Sequence, residues 1–150
     1  EALNPKSEIR NKSQIQNLEN SKLNAKQLEE KLAEWGGQML VDVIPKWING
    51  KIKPQEQDHS QATFTKKIKK GDGLIDSQKD SPEIIYKKFL AFQPWPGIYY
   101  FTEKDGGKIR IIITDMELSQ IGELKIKKVK PEGKSEMSFA DFLKGNNKLI

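Results

Sequence analysis

Two runs of β-branched and aromatic residues, separated by a turn that contains two glycines, constrain the fold of this chain more than any other feature. The runs cover residues 98–102 and 108–114, and the turn between them is Glu103-Lys104-Asp105-Gly106-Gly107. Such runs joined through Asp and Gly are typical of β-hairpins. A third run, residues 123–130, alternates apolar residues with lysines and slips at Lys128-Val129, where a β-bulge would restore the inward face. The sequence therefore predicts three strands in a small antiparallel sheet or partial barrel.

Three other segments carry helix signals. Residues 25–50 follow Asn24, a suitable N-cap, and place apolar side chains three and four apart, with Pro45 expected to kink the last turn. A second helix is predicted to begin at Ser81-Pro82, and a third to cover residues 138–145. The first helix needs a surface to pack on, either the following domain or one outside this chain. The predicted fold class is α+β, with an N-terminal amphipathic helix and linker before the small β domain.

Polar segments separate these elements. Residues 1–24 contain short near-copies of one another and too few apolar residues for a core, so we expect a low-complexity tail or insertion. Residues 51–81 have the composition of a linker, with one short strand at residues 62–68.

Composition restricts the chemistry. The chain has no cysteine, which excludes disulfides, thiolate zinc sites and cysteine nucleophiles, and its single histidine, His59, lies in the polar linker beside Asp58 and Ser60. We predict no catalytic residue and no metal site. No apolar run approaches the roughly 20 residues of a membrane helix, so we expect no membrane partner and a cytoplasmic protein.

Basic residues are concentrated in one part of the chain. Residues 64–130 contain 14 Lys or Arg and 9 Asp or Glu, which accounts for the whole net charge of +5. Lysines on strands and linker beside aromatic residues could hold the phosphates of an RNA, although lysine on an edge strand also serves simply to prevent aggregation. The predicted nucleic-acid-binding residues are Lys66, Lys67, Lys69, Lys70, Arg110, Lys125, Lys127 and Lys130.

A series of segments follows a specific order along residues 28–146. The most distinctive are Phe92-Gln93-Pro94-Trp95-Pro96-Gly97 and Pro131-Glu132-Gly133-Lys134, accompanied by Gly73-Leu74-Ile75-Asp76 and Asp141-Phe142-Leu143-Lys144-Gly145. In this order they resemble the C-terminal half of the methionyl-tRNA formyltransferase family.

The resemblance implies a role in transferring a formyl group from 10-formyltetrahydrofolate to the methionine on initiator tRNA. The family combines an N-terminal α/β catalytic domain with a C-terminal OB-like barrel that helps to hold the tRNA. By this resemblance, residues 25–50 are the last helix of the catalytic domain, residues 51–62 the interdomain linker, and residues 63–150 the OB-like domain, complete or reduced. The family's catalytic residues lie upstream of the matched segments. We therefore expect this chain alone to be inactive and to bind no cofactor, with initiator tRNA and the catalytic domain as its partners.

Two departures from the family pattern affect these expectations. Ser77 stands where the family usually has Trp, and residues 114–124 form a shorter stretch than in typical members, which predicts a barrel reduced by a strand or hairpin. Two alternatives stay open. The chain could be a docking or structural C-terminal domain of another formyltransferase without RNA contact, or a generic RNA-binding OB-like protein.

Overall fold

The computed structural model describes residues 22–104 and 106–145. The chain divides into two compact units, with the boundary between Lys66 and Lys67. The predicted domain boundaries after residues 24, 50 and 62 stay predictions, and most of the predicted tail, residues 1–24, lies outside the described residues.

A single long helix, α1 (Ala25–Ile48), dominates the N-terminal unit. Asn24 is the N-cap as predicted and forms a capping box with Gln27: the Asn24 side chain accepts a hydrogen bond from the Gln27 N–H at 2.9 Å, and the Asn24 N–H donates to the Gln27 side chain at 3.0 Å. The helix continues through Pro45 and is capped by Asn49. None of its residues is buried, and several large apolar side chains remain open to solvent, including Trp47 at 59% exposure.

The segment after α1 has little regular structure. A one-turn 3-10 helix, His59–Gln61, is capped by Asp58, and a second one, Lys70–Gly73, lies near the start of the C-terminal unit. The short strand predicted at residues 62–68 is wrong, because a strand requires a neighbour to accept its backbone hydrogen bonds and no described segment pairs with this one. The Phe64 side chain is accordingly 93% exposed.

The C-terminal unit is built on a four-stranded antiparallel sheet with the strand order β1-β2-β3-β4. The strands are β1 (Ile98–Lys104), β2 (Gly107–Leu118), β3 (Leu124–Pro131) and β4 (Met137–Ser138). The predicted hairpin is confirmed: β1 and β2 pair from Ile98 with Ile113 to Lys104 with Gly107. Strand β2 is longer than predicted, since it continues to pair with β3 as far as Leu118.

The predicted β-bulge lies where β2 and β3 change register. Ile113 pairs with Val129 and Asp115 with Lys128, so that Thr114 has no direct partner on β3. Two consecutive lysines, Lys127 and Lys128, are exposed there, and the next residue, Val129, is fully buried. The irregularity therefore returns the following apolar residues to the interior, as expected.

Two helices cover one face of this sheet, which we call the inner face. Helix α2 (Pro82–Ala91) is capped by the Ser81 side chain and α3 (Phe139–Lys144) by the Ser138 side chain, both as predicted. Their apolar residues and those of the inner face form one hydrophobic core. Its buried members are Ile85, Phe89, Ile98, Tyr100, Ile111, Ile113, Met116, Val129 and Phe142.

The α+β class and the antiparallel sheet are confirmed. Within the described residues the sheet is open, with β1 at one edge and the two-residue β4 at the other. The expected barrel is therefore not closed in this part of the chain.

Candidate nucleic-acid interface

The side of the sheet opposite the helices carries aromatic and basic side chains, and we call it the outer face. The alternation of side chains along a strand places them there, because their sequence neighbours point into the core. The outer face comprises Tyr99, Phe101, Lys108, Arg110, Ile112, Lys125, Lys127, Lys128 and Lys130, together with the acidic residues Glu103 and Glu117.

Carboxylates neutralise two of the lysines on β3. The Nζ of Lys127 lies 2.6 Å from a carboxylate oxygen of Glu117, and this ion pair raises the pKa of the Lys127 ammonium. The Nζ of Lys128 lies 3.1 Å from a carboxylate oxygen of Glu136, whose pKa is lowered by the Thr114 hydroxyl and by Lys128. The charges of these two lysines are therefore balanced at short range.

The remaining basic residues of the outer face lie at two separate places. Lys130 is opposite Ile112, two residues from Arg110 on β2, so Arg110 and Lys130 are diagonal neighbours on one face as expected. Lys125 lies five residues before Lys130, or about 16 Å of strand at roughly 3.3 Å per residue. Lys125, Lys130 and Arg110 form no ion pair within the described residues. The predicted residues thus do not form one continuous patch.

Arg110 and Lys108 lie against aromatic rings of β1. The guanidinium of Arg110 is 5.6 Å from the centroid of the Tyr99 ring, and Lys108 Nζ is 5.0 Å from the centroid of the Phe101 ring. Both distances fall within the range of cation–π interactions. The Arg110 backbone N–H donates to the Glu132 carboxylate at 3.2 Å, but no described carboxylate forms an ion pair with either cationic group.

The predicted lysines of the linker are divided between the two units. Lys66 is the last residue of the N-terminal unit, whereas Lys67, Lys69 and Lys70 belong to the C-terminal unit. All four side chains are exposed.

The segment that follows these lysines is fixed to the edge of β1. The Ile75 N–H donates to the Tyr99 carbonyl at 2.9 Å, and Leu74 forms an isolated bridge with Tyr99. Gly73 is buried so closely against Gly97 that a Cβ at position 73 would lie 2.1 Å from the Gly97 carbonyl oxygen. The basic segment of the C-terminal unit is therefore held near the start of β1.

Sequence reasoning missed four aromatic and basic residues of the outer face. Tyr99 and Phe101 alternate with the buried Ile98 and Tyr100, and that alternation could have identified them. Lys108 has the same parity as Arg110 on β2 and could have been identified in the same way. Lys128 depends on the bulge, which turns two consecutive lysines outward.

The linker histidine is not arranged as a catalytic base for the adjacent serine. The Ser60 hydroxyl donates to the Asp58 carboxylate at 2.7 Å, and the Ser60 N–H donates to the same carboxylate at 2.9 Å. These bonds lower the pKa of Asp58 and cap the turn at His59–Gln61. Residues 22–104 and 106–145 contain no group of His, Asp and Glu that could hold a metal ion.

Comparison with known proteins identifies the domain. Residues 67–123 match the family model described as "Formyl transferase, C-terminal domain". The chain contains a formyltransferase C-terminal domain. The resemblance to the C-terminal portion of methionyl-tRNA formyltransferase, inferred from the motifs, is confirmed by two relatives of that name.

The relatives extend well beyond this formyltransferase domain. Methionyl-tRNA formyltransferase of Streptococcus pneumoniae (strain Hungary19A-6) is 32% identical in a match 144 residues long, and the match covers 82% of this chain and 45% of the relative. Methionyl-tRNA formyltransferase of Chloroflexus aurantiacus (strain ATCC 29366 / DSM 635 / J-10-fl) is 44% identical over 89 residues, or 59% of this chain and 27% of the relative. The chain therefore spans less than half the length of these relatives.

The ends of the family match coincide with boundaries in the structure. It begins at Lys67, the first residue of the C-terminal unit, and ends at Glu123, immediately before β3. The formyltransferase match thus includes Tyr99, Phe101 and Arg110 and stops short of the β3 lysines.

No helix in the described part of the chain is long and apolar enough to cross a membrane.

Proposed function

We propose that the chain is the C-terminal part of a methionyl-tRNA formyltransferase and that it supports the binding of initiator methionyl-tRNA. Similarity over 82% of the chain to a relative of that name supports this assignment. In this proposal the formyl group comes from 10-formyltetrahydrofolate bound by a separate catalytic domain. The chain alone then transfers no formyl group, and it works in the cytoplasm beside that domain, with an OB-like sheet as the RNA-binding element.

The observation that carries the proposal is the set of basic groups on the outer face that form no ion pair within the described residues. Arg110 and Lys130 are diagonal neighbours, and Lys108 lies beside Arg110 over the β1 rings. A phosphate that replaces water at these groups would not compete with a carboxylate, in contrast to Lys127 and Lys128. Binding of this kind positions an RNA without reading its bases.

A salt-dependent titration tests the proposal. The full chain is titrated with initiator tRNA at several salt concentrations, and we expect binding whose logarithm falls linearly with the logarithm of the salt concentration. Replacing Lys125, Lys127 and Lys130 together with Glu should weaken binding for all RNA sequences alike and reduce the salt slope. Absence of binding by the unmodified chain at low salt would remove the RNA role.

A matched substitution separates local contacts from net charge. Lys130→Glu changes the outer face. Lys87→Glu makes the same charge change at an exposed side chain of α2, on the opposite side of the sheet. We expect Lys130→Glu to weaken tRNA binding more than Lys87→Glu. Equal effects would mean that only the overall charge matters.

A second candidate function is a docking module for a neighbouring catalytic domain that makes no RNA contact. The apolar side chains of α1 support it, since Leu32 is 51% and Trp47 59% exposed, and such a helix face is typical of a protein interface. A Trp47→Ser variant separates the two functions. It should leave tRNA binding unchanged and weaken binding of the chain to a separately produced catalytic domain.

A further inference from the structure

Two aromatic rings on the outer face form a fixed apolar surface. The Tyr99 and Phe101 rings are 5.6 Å apart and meet edge to face at an interplanar angle of 86°. Phe101 is 42% exposed, although it lies within a strand whose alternate residues are buried. The contact with the Tyr99 ring favours one orientation of the Phe101 ring, which lowers the entropy cost of binding a ligand there.

The cations beside these rings form no ion pair within the described residues. Lys108 lies over Phe101 and Arg110 over Tyr99, and neither forms an ion pair with a described carboxylate. The Nε of Arg110 is enclosed and has no hydrogen-bond partner within the described residues. By contrast, Lys127 and Lys128 on the same sheet are paired with carboxylates. Lys108 and Arg110 are therefore cations beside exposed rings that form no ion pair with a described residue, while Glu103 lies opposite Lys108 and the Glu132 carboxylate accepts a hydrogen bond from the Arg110 backbone N–H.

We propose that Phe101 is a stacking site for an unpaired base of an RNA strand, which takes the place of the Lys108 ammonium over the ring while Lys108 and Arg110 hold the adjacent phosphates. The inference rests on the proposed function, because it names the part of a tRNA that this surface would contact. A flat apolar ring next to unpaired cations matches the two parts of a nucleotide, an aromatic base and an anionic phosphate. Bases within an A-form helix are stacked on each other, so the ligand is a single-stranded loop or end.

The experiment compares oligomers that differ only in their bases. The full chain is titrated, at low salt and by fluorescence anisotropy, with labelled heptauridylate and with a seven-unit abasic ribose phosphate of the same charge. Phe101→Ala should weaken heptauridylate binding by about tenfold, the scale of losing one base–aromatic stack, and leave the slope of affinity against salt unchanged. For the abasic oligomer, Phe101→Ala should change nothing.

Two control variants accompany Phe101→Ala. Phe101→Tyr keeps an aromatic ring and should keep the affinity, while unchanged binding of the abasic oligomer by Phe101→Ala shows that the alanine variant is folded. Phe64→Ala removes an exposed phenylalanine from the N-terminal unit and should have no effect.

The outcomes distinguish this inference from the proposed function. If heptauridylate and tRNA bind with the expected salt dependence but Phe101→Ala binds like the unmodified chain, only the stacking site is overturned. An equal loss for the abasic oligomer overturns it as well, since the ring would then act without a base. If the unmodified chain binds no RNA at low salt, the proposed function fails and the stacking site fails with it.

Discussion

Lys127 and Glu117 form the shortest ion pair described in the sheet, with 2.6 Å between Nζ and the carboxylate oxygen. The pair joins β3 to β2 at the end of the sheet where Lys125 also lies opposite Glu117. Glu117 therefore offsets the positive charge of Lys125 and Lys127, two lysines that the sequence predicted to bind phosphates. The electrostatic potential at this end of the outer face depends on a carboxylate as much as on the lysines.

Neutralising that carboxylate should strengthen RNA binding. In Glu117→Gln the Lys127 ammonium loses its acidic partner, and its pKa, which Glu117 raises, should move back toward the ordinary lysine value of 10.5. The ammonium stays charged at pH 7 and becomes available to a phosphate. We expect about a twofold to fivefold higher affinity for tRNA at low salt, the scale of one exposed charge pair. Glu29→Gln on α1 removes the same charge elsewhere, and an equal gain from it would contradict this explanation.

The close approach of Gly73 to Gly97 should make position 73 intolerant of any side chain. A Cβ there would lie 2.1 Å from the Gly97 carbonyl oxygen, so Gly73→Ala must displace backbone. We expect a loss of about 1–3 kcal/mol in the free energy of unfolding, measured by urea denaturation followed by circular dichroism. Gly71→Ala, two residues earlier, has open space around the new methyl group and is the control. If Gly73→Ala and Gly71→Ala had equal free energies of unfolding, Gly73 would not be packed against Gly97 as described.

The centre of the inner face should respond strongly to the loss of volume. Ile111 is fully buried, so Ile111→Ala leaves a cavity and should lower the free energy of unfolding by about 2–5 kcal/mol, with Ile111→Val costing about 0.5–1.5 kcal/mol. Ile121, in the turn between β2 and β3, is 80% exposed, and Ile121→Ala should stay within about 0.5 kcal/mol. The same urea denaturation measures all three. A mild effect of Ile111→Ala would mean that the core rearranges to fill the space.

Tyr100 should make the fold sensitive to alkaline pH. Its hydroxyl is buried without a hydrogen-bond partner in the described residues, and burial raises its pKa from 10.0 to about 12. Between pH 10 and pH 12 the Tyr100 hydroxyl ionises in the unfolded chain but keeps its proton in the folded chain. The free energy of unfolding is therefore unaffected by this group below pH 10 and falls as the pH rises toward 12. Tyr100→Phe removes this loss.

Denaturation at two pH values measures that difference. At pH 7 we expect Tyr100→Phe to match or exceed the stability of the unmodified chain, by up to about 1 kcal/mol, since it deletes an unsatisfied buried group. At pH 11 the difference in the free energy of unfolding should grow by about another 1 kcal/mol, because ionisation of Tyr100 in the unfolded state then destabilises the unmodified chain but not the variant. An advantage that is the same at both pH values would place the Tyr100 hydroxyl in contact with water.

Local sequence patterns predicted the elements of the C-terminal unit well. The hairpin turn before Gly107, the cap at Ser81 and the slip at Lys128-Val129 are each determined by neighbouring residues, and all three appear in the structure. The same local reasoning failed at residues 62–68, where β-branched and aromatic residues have no neighbouring strand. A strand depends on a partner that local propensity does not specify.

The candidate site was harder to predict, because it depends on register. The basic residues are visible in the sequence, but the ion pair of Lys127 with Glu117 depends on a cross-strand register that shifts on both sides of Asp115. A shift of one residue would exchange the inner and outer faces, so which lysine meets which carboxylate cannot be read from spacing alone. The outward positions of Tyr99 and Phe101 follow from the alternation of side chains along β1, a signal that the distribution of charged residues does not contain.

Both helices lie on one side of the sheet, so the residues that form the hydrophobic core and the residues that are free to face a partner are on opposite faces. Substitutions among the outward residues should therefore alter the surface of the domain while leaving its hydrophobic core intact. The complete set of outward side chains could therefore be transplanted from a relative onto this scaffold in one step, and the recipient should acquire the donor's ligand preference while melting at nearly its original temperature.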